Sequence, residues 1–129
     1  MSGTDVDSTG GADVTPTTGA VVVAISSDRM GRGDDQLGEV LMRSFLHTLG
    51  EANHSPDTLI FFNSGVKLAV DESPVLEDLH RLETRGVKIL LCGTCLGHFE
   101  LKDKVAVGEI SNMYAITETM LGSGGVVNL

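Results

Sequence analysis

Three short, unbroken apolar runs rich in β-branched residues constrain this chain most: Ala20–Ser26 (AVVVAIS), Thr58–Phe62 (TLIFF) and Val87–Leu91 (VKILL). A strand with one wet face alternates apolar and polar residues. A run without alternation belongs to a strand covered on both faces. Between the runs the periodicity becomes helical. From Asp34 onward Leu37, Val40, Leu41, Phe45, Leu46 and Leu49 recur at helical spacing; Asp34 and Asp35 suit the positive end of that helix and Gly50 its stop. Ser73-Pro74 opens a second helix, with Ser as cap and Pro in the first turn. Val75, Leu76, Leu79 and Leu82 form its buried stripe, and Gly86 ends it.

Beyond the third run the pattern predicts a short helical turn and a weak strand around Val105–Val107. Ser111 or Asn112 then caps a helix whose Ile110, Met113, Ile116, Met120 and Leu121 face the core. Gly122–Gly125 ends this helix and Val126-Val127 begins a last strand. The order is βα four times and then β, with connections long enough for crossovers. That specifies an α/β fold of three layers, a mostly parallel five-stranded sheet with helices on both faces.

The chain has 129 residues, of which 41% are hydrophobic, enough for one packed domain with little room for two. Residues 1–19 hold only two isolated valines among Gly, Thr, Ser and Asp; they read as a disordered acidic arm or linker, leaving 20–129 as the folded domain. Net charge is −9, which repels phosphate backbones and argues against nucleic acid and anionic membranes as partners. No apolar run approaches the length of a membrane span, and no basic-then-apolar leader opens the chain. With two cysteines close together rather than a disulfide framework, the expectation is a cytoplasmic protein.

In an open parallel sheet, ligands bind at the carboxyl ends of the strands. The first run is followed there by Asp28-Arg-Met-Gly31-Arg-Gly33, the second by Asn63-Ser-Gly65-Val-Lys67, the third by Cys92-Gly93-Thr94-Cys95, and Gly108–Asn112 follows the proposed fourth strand. Cys92 ends a strand, and Cys95 lies in the first turn beyond it, where free backbone N–H groups and the helix dipole favour thiolate. A thiolate attacks and receives sulfur, so Cys92 and Cys95 are the candidate catalytic residues for a persulfide carrier. Gly93 and Thr94 contribute backbone N–H groups that stabilise an anionic sulfur. Asn63, Gly65 and Asn112 line the pocket, with Gly31 in the neighbouring loop. His98 is either a spectator or a group that holds a proton or orients the thiolate, and Lys67 is either an ordinary exposed loop lysine or one that attracts an anionic thiolate or sulfur oxyanion.

Other readings stay open at this level. Cysteine also packs as a small buried hydrophobe. A thioredoxin-like dithiol shares the CxxC pattern, although that fold places it after an earlier strand. Zinc wants four ligands, and Cys92, Cys95 and His98 supply three at most. Gly31-Arg-Gly33 lacks both the third glycine of a dinucleotide loop and the Lys of a Walker loop, and Asp34-Asp35 sits where a phosphate would bind. No cofactor is implied.

Four blocks carry a family resemblance: Asn63-Ser-Gly-Val-Lys-Leu68, Gly86-Val-Lys-Ile-Leu-Leu-Cys-Gly-Thr-Cys-Leu96, Leu101-Lys-Asp-Lys104 and Val107-Gly-Glu-Ile-Ser-Asn-Met-Tyr114. Together they resemble the DsrE-like domain of YedF-type proteins, sulfurtransferase-like proteins linked to selenium metabolism, over roughly residues 20–129. The resemblance implies a DsrE/DsrF-like fold, sulfur-relay chemistry on cysteine, and homo- or hetero-oligomers. It also implies sulfur donor and acceptor proteins as partners, TusA-like among them. The persulfide-carrying cysteine of related subunits matches Cys92, and Cys95 matches the second cysteine of the YedF-like branch. YedF-type proteins often carry a TusA-like domain first, whereas only the Gly/Thr-rich arm precedes Ala20 here. A non-catalytic, partner-binding subunit and a dithiol redox protein remain the alternative functions.

Overall fold

The structure is a computed structural model that describes residues 19–129; the arm expected over 1–19 therefore lies outside the described residues except for Gly19. Five strands alternate with helices: β1 (Val21–Ile25), α1 (Asp35–Glu51), β2 (Thr58–Phe61), α2 (Leu76–Thr84), β3 (Lys88–Cys92), α3 (Gly93–His98), β4 (Glu109–Ser111), α4 (Met113–Leu121) and β5 (Gly125–Asn128). Two 3-10 segments, Asn63–Ala69 and Lys102–Lys104, follow β2 and α3. All strand pairs are parallel, in the order β4-β3-β2-β1-β5. The three apolar runs form the middle of the sheet. Every residue of β2, and all but the first of β1 and β3, is buried, so both faces of the centre are covered.

Because the strands run the same way, their carboxyl ends share one edge. Ser26–Gly33, Asn63–Gly65 and Gly93–His98 all emerge there. No helix among the described residues is long and apolar enough to cross a membrane.

Several local expectations need correction. In α1, Asp34 is the N-cap as expected, its carboxylate accepting from the Leu37 N–H at 2.8 Å. The buried face, however, is Gly38, Met42, Leu46 and Gly50, with Phe45 and Leu49 half-buried, while Leu37, Val40 and Leu41 are exposed. The helix carries two apolar stripes, and its glycines decide which one faces inward. A Cβ at Gly38 would lie 2.9 Å from Arg29 Cβ, and one at Gly50 would lie 2.7 Å from the Arg81 guanidinium. Gly50 is thus a close-packing residue; the helix runs on to Glu51.

The second helix starts at Leu76, past Ser73-Pro74, although the Ser73 hydroxyl does accept from the Val75 N–H at 3.3 Å. Val105–Val107 is not a strand of the sheet. Val105 makes an isolated antiparallel bridge with Val70, and the turn at Gly108 (φ +84°) redirects the chain into β4. β4 escaped the sequence pattern because it is a short edge strand, largely exposed and polar.

Of the residues expected to hold α4 to the core, only Ile116 is buried and Met120 is half-buried; Ile110, Met113 and Leu121 are exposed. Asn112 does cap this helix, accepting from the Ala115 N–H at 2.8 Å.

The corrected phase of α1 is directly testable. Met42→Ala is expected to lower unfolding free energy by about 2–5 kcal/mol, the usual cost of truncating a buried large side chain. Leu37→Ala, on the wet face, is expected to stay within roughly 0.5 kcal/mol. Denaturant titration reads both, and the opposite ranking would reverse the assignment of the buried face.

Candidate functional site

β3 delivers Cys92 as its last residue, in register with Ser111 of β4 and only 1% exposed. Helix α3 starts at the next residue, which places Cys95 on its first turn, half-buried. Gly93 permits that immediate turn, since a Cβ there would lie 3.0 Å from the Ser111 carbonyl oxygen and 3.2 Å from Ile110 Cγ2. Both cysteines are free thiols.

β2 supplies the opposing wall. It ends at Phe61, and Asn63 takes up the left-handed conformation (φ 51°), which asparagine tolerates better than most residues. This turn aims the Asn63 N–H at Cys95 Sγ, 3.0 Å away, while the Asn63 Oδ1 accepts from the Ser64 N–H at 2.8 Å. Two residues on, Gly65 crosses the end of β1 so closely that a Cβ would strike the Ile25 carbonyl oxygen. No other residue type fits there without moving backbone.

Asn63, Thr94, Cys95, His98 and Phe99 line a cleft of about 340 Å³. The His98 and Phe99 rings meet edge-to-face, with centroids 5.0 Å apart and planes at 81°. The exposed Lys67, on the 3-10 segment after β2, packs on this wall, its ammonium 4.5 Å from the Phe99 ring centroid.

Burial pushes the Cys95 thiol above its ordinary pKa, and the neighbouring Cys92 side chain, within hydrogen-bonding reach, adds to the rise; the Asn63 N–H opposes it. The direction is upward, opposite to the lowering expected from the place of Cys95 at a helix start. A higher pKa makes the thiolate rarer and intrinsically more nucleophilic.

The structure thus brings Asn63, Thr94, Cys95 and His98 together around one opening and joins Lys67 to them through Phe99. Cys92, Gly65 and Gly93 lie buried behind that surface and shape it. Asn112 does not line this cleft; its side chain is occupied in capping α4. Gly31 borders a different groove with Ser26, Ser27, Arg29, Arg32 and Leu129. Among the described residues no cluster of three or more His, Cys, Asp or Glu side chains is arranged to hold a metal ion. Phe99 escaped the sequence reading. Its one signal was an aromatic immediately after His98, indistinguishable from a core residue without the fold.

Residues 25–129 match the DsrE/DsrF-like family. The fold is similar to that of the crystal structure of the ychN protein from E. coli (TM-score 0.66, 16% identity), covering 85% of this chain and 98% of that one. It is also similar to a protein of unknown function from Methanobacterium thermoautotrophicum, with TM-score 0.61 and 17% identity, over 85% of this chain and 98% of that one. A conserved protein of unknown function from Bacteroides thetaiotaomicron gives TM-score 0.61 at 11% identity, over 91% and 100%. These three likenesses concern the fold alone. A 62-residue stretch is 42% identical to nectin-2 of Mus musculus, covering 48% of this chain and 12% of that protein, so the chain spans about an eighth of that protein's length. The sheet order, the cleft at its carboxyl edge and the match over 25–129 agree: this chain belongs to the DsrE/DsrF-like family, a family generally tied to sulfur relay.

Proposed function

We propose that this protein is a sulfur-relay carrier that accepts sulfane sulfur on Cys95 and holds it as a persulfide, with Cys92 as the resolving thiol. The observation that carries this reading is the contrast between the two cysteines. Cys95 lines an open cleft and receives the Asn63 N–H, whereas Cys92 is buried directly behind it with its side chain in hydrogen-bonding reach. This reverses the order of roles that the family resemblance assigns to the pair, because a thiol exposed to 1% cannot meet a donor without local opening.

A persulfide on Cys95 would project its terminal anionic sulfur into the cleft. The Asn63 N–H, already on the sulfur, and Thr94 in the cleft lining would supply donors to stabilise it. Release to an acceptor thiolate regenerates Cys95. Attack by the Cys92 thiolate on the inner sulfur instead forms a Cys92–Cys95 disulfide and expels hydrosulfide. In this reading the donor and acceptor include TusA-like proteins. The same thiol chemistry serves selenium, in line with the YedF-type resemblance, and the protein acts as an oligomer in the cytoplasm. The proximity of the two thiols also supports a second reading, a dithiol redox protein that closes its disulfide without any sulfur donor.

Intact-protein mass spectrometry after incubation with polysulfide separates the readings. Wild type and Cys92→Ser are expected to gain 32 Da per sulfur, about one atom, while Cys95→Ser gains none. A wild type that loses two hydrogens under a mild oxidant with no sulfur donor present, together with a Cys92→Ser variant that gains no sulfur from polysulfide, would favour the redox protein. Persulfide retained in Cys95→Ser and lost in Cys92→Ser would overturn the assignment of roles.

The pH dependence supplies an independent check. Alkylation of Cys95 by iodoacetamide is expected to inflect above the pKa of a free thiol, because burial and Cys92 both disfavour the thiolate. Cys92→Ala removes one of those two causes, so its inflection is expected at lower pH than that of wild type. An inflection at or below the free-thiol value in wild type, or an upward move in the variant, would contradict the electrostatic account.

A further inference from the structure

The residues lining the Cys95 cleft, Asn63, Thr94, Cys95, His98 and Phe99, include no carboxylate, in a chain whose net charge is −9. One cation packs against the wall of this cleft, that of Lys67. Its ammonium rests on the ring of Phe99 at 4.5 Å, a cation–π contact that fixes a long, flexible side chain at the cleft wall. On its other side Lys67 borders a second groove with Asp28, Glu39 and Arg43, yet no carboxylate among the described residues lies within ion-pair distance of it. Glu39 is drawn to Arg29 instead, at 3.4 Å. An acidic chain has thus placed an ammonium, outside any ion pair among the described residues, on a wall residue of the cleft that holds its accessible thiol, and the cleft's 340 Å³ suits a small molecule.

We propose that Lys67 is the anion-recognising residue of this cleft, and that its low-molecular-weight sulfur donor is a sulfur oxyanion bearing a sulfane sulfur, the thiosulfate class. The proposal rests on the carrier reading above and adds the donor to it. The Cys95 thiol first loses its proton to water. Its thiolate then attacks the outer sulfur of thiosulfate, forming the Cys95 S–S bond as the donor's S–S bond breaks. The electron pair leaves on sulfite: RS⁻ + S–SO₃²⁻ gives RSS⁻ + SO₃²⁻. Atoms and charge balance, and no external oxidant or reductant is consumed.

Two anions must approach each other in this step, a thiolate and a dianion. Lys67 offsets that repulsion by pairing with the sulfonate oxygens, and the Phe99 ring holds the ammonium ready. Asn63 and Thr94 lie across the same cleft as uncharged hydrogen-bond donors for the remaining oxygens. Lys67 acts on the donor and leaves the thiol's own environment to Asn63 and Cys92.

The test compares wild type, Lys67→Met and Lys67→Arg. Cys95 loading is followed by intact mass with thiosulfate, and separately with polysulfide as the control for carrier function. Lys67→Met keeps an apolar stem against Phe99 but loses the charge, and its second-order loading rate with thiosulfate is expected to fall roughly five- to tenfold. Lys67→Arg is expected to recover most of that loss, and raised salt to shrink the difference.

A second readout is independent of sulfur transfer. The ratio of Cys95 alkylation rates with iodoacetate and iodoacetamide cancels the thiolate fraction and reports only the charge sensed by the incoming reagent. That ratio is expected to fall in Lys67→Met and recover in Lys67→Arg. Wild type loaded by polysulfide but not by thiosulfate, or equal thiosulfate rates in wild type and Lys67→Met, would overturn the donor assignment while leaving the carrier intact. No loading of wild type by either donor would overturn the carrier reading and this proposal with it.

Discussion

The passage of Gly65 over the end of β1 fixes the geometry on which the site depends. Bare backbone at Gly65 lies against the Ile25 carbonyl, and the chain reaches that point only by turning left-handed at Asn63. The same turn directs the Asn63 N–H onto Cys95 Sγ. One steric contact therefore links three neighbouring strand ends, those of β1, β2 and β3, and sets the thiol's hydrogen bond. The 3-10 segment that begins there also carries Lys67 to the Phe99 ring. A larger residue at Gly65 would displace the wall of the cleft as well as the packing beneath it.

Two opposing effects govern the reactivity of Cys95. Burial and the adjacent Cys92 hold the proton on, and one backbone N–H pulls the other way. The outcome is a thiol held above its ordinary pKa. In the proposed carrier, a persulfide on Cys95 would carry the charge one sulfur further out, into the cleft that Thr94, His98 and Phe99 line. Charge placement follows the same logic at larger scale. Carboxylates crowd the rest of the surface and are absent from the cleft lining.

The centre of the fold was legible in the sequence because three runs without alternation can only be buried strands. The Cys92-x-x-Cys95 pair was legible because it sits at the end of one of them. What escaped the pattern was decided by packing. Gly50 reads as the stop of α1, yet it and Gly38 mark the buried face of that helix, and Leu37, Val40 and Leu41 of the apolar pattern lie on the exposed side. β4 was missed because an exposed edge strand needs no apolar pattern, while Val105–Val107 has one and serves a bridge to Val70. At the site, residues close in sequence to the cysteines were easier to place than those joined through a third group. Asn112 was drawn toward the cleft by its place in the loop after the expected strand at Val105–Val107, yet its side chain caps α4. Phe99, which connects His98 to Lys67, had no signal of its own.

The central claim is that sulfur enters at Cys95 and not at Cys92. Fragment-ion mass spectra of the peptide spanning both cysteines, taken after brief exposure of wild type to polysulfide and blocking of free thiols, decide it most directly. The account expects the additional sulfur on Cys95, with Cys92 unmodified or later joined to it in a disulfide. An additional sulfur on Cys92 while Cys95 is blocked as a free thiol would contradict it.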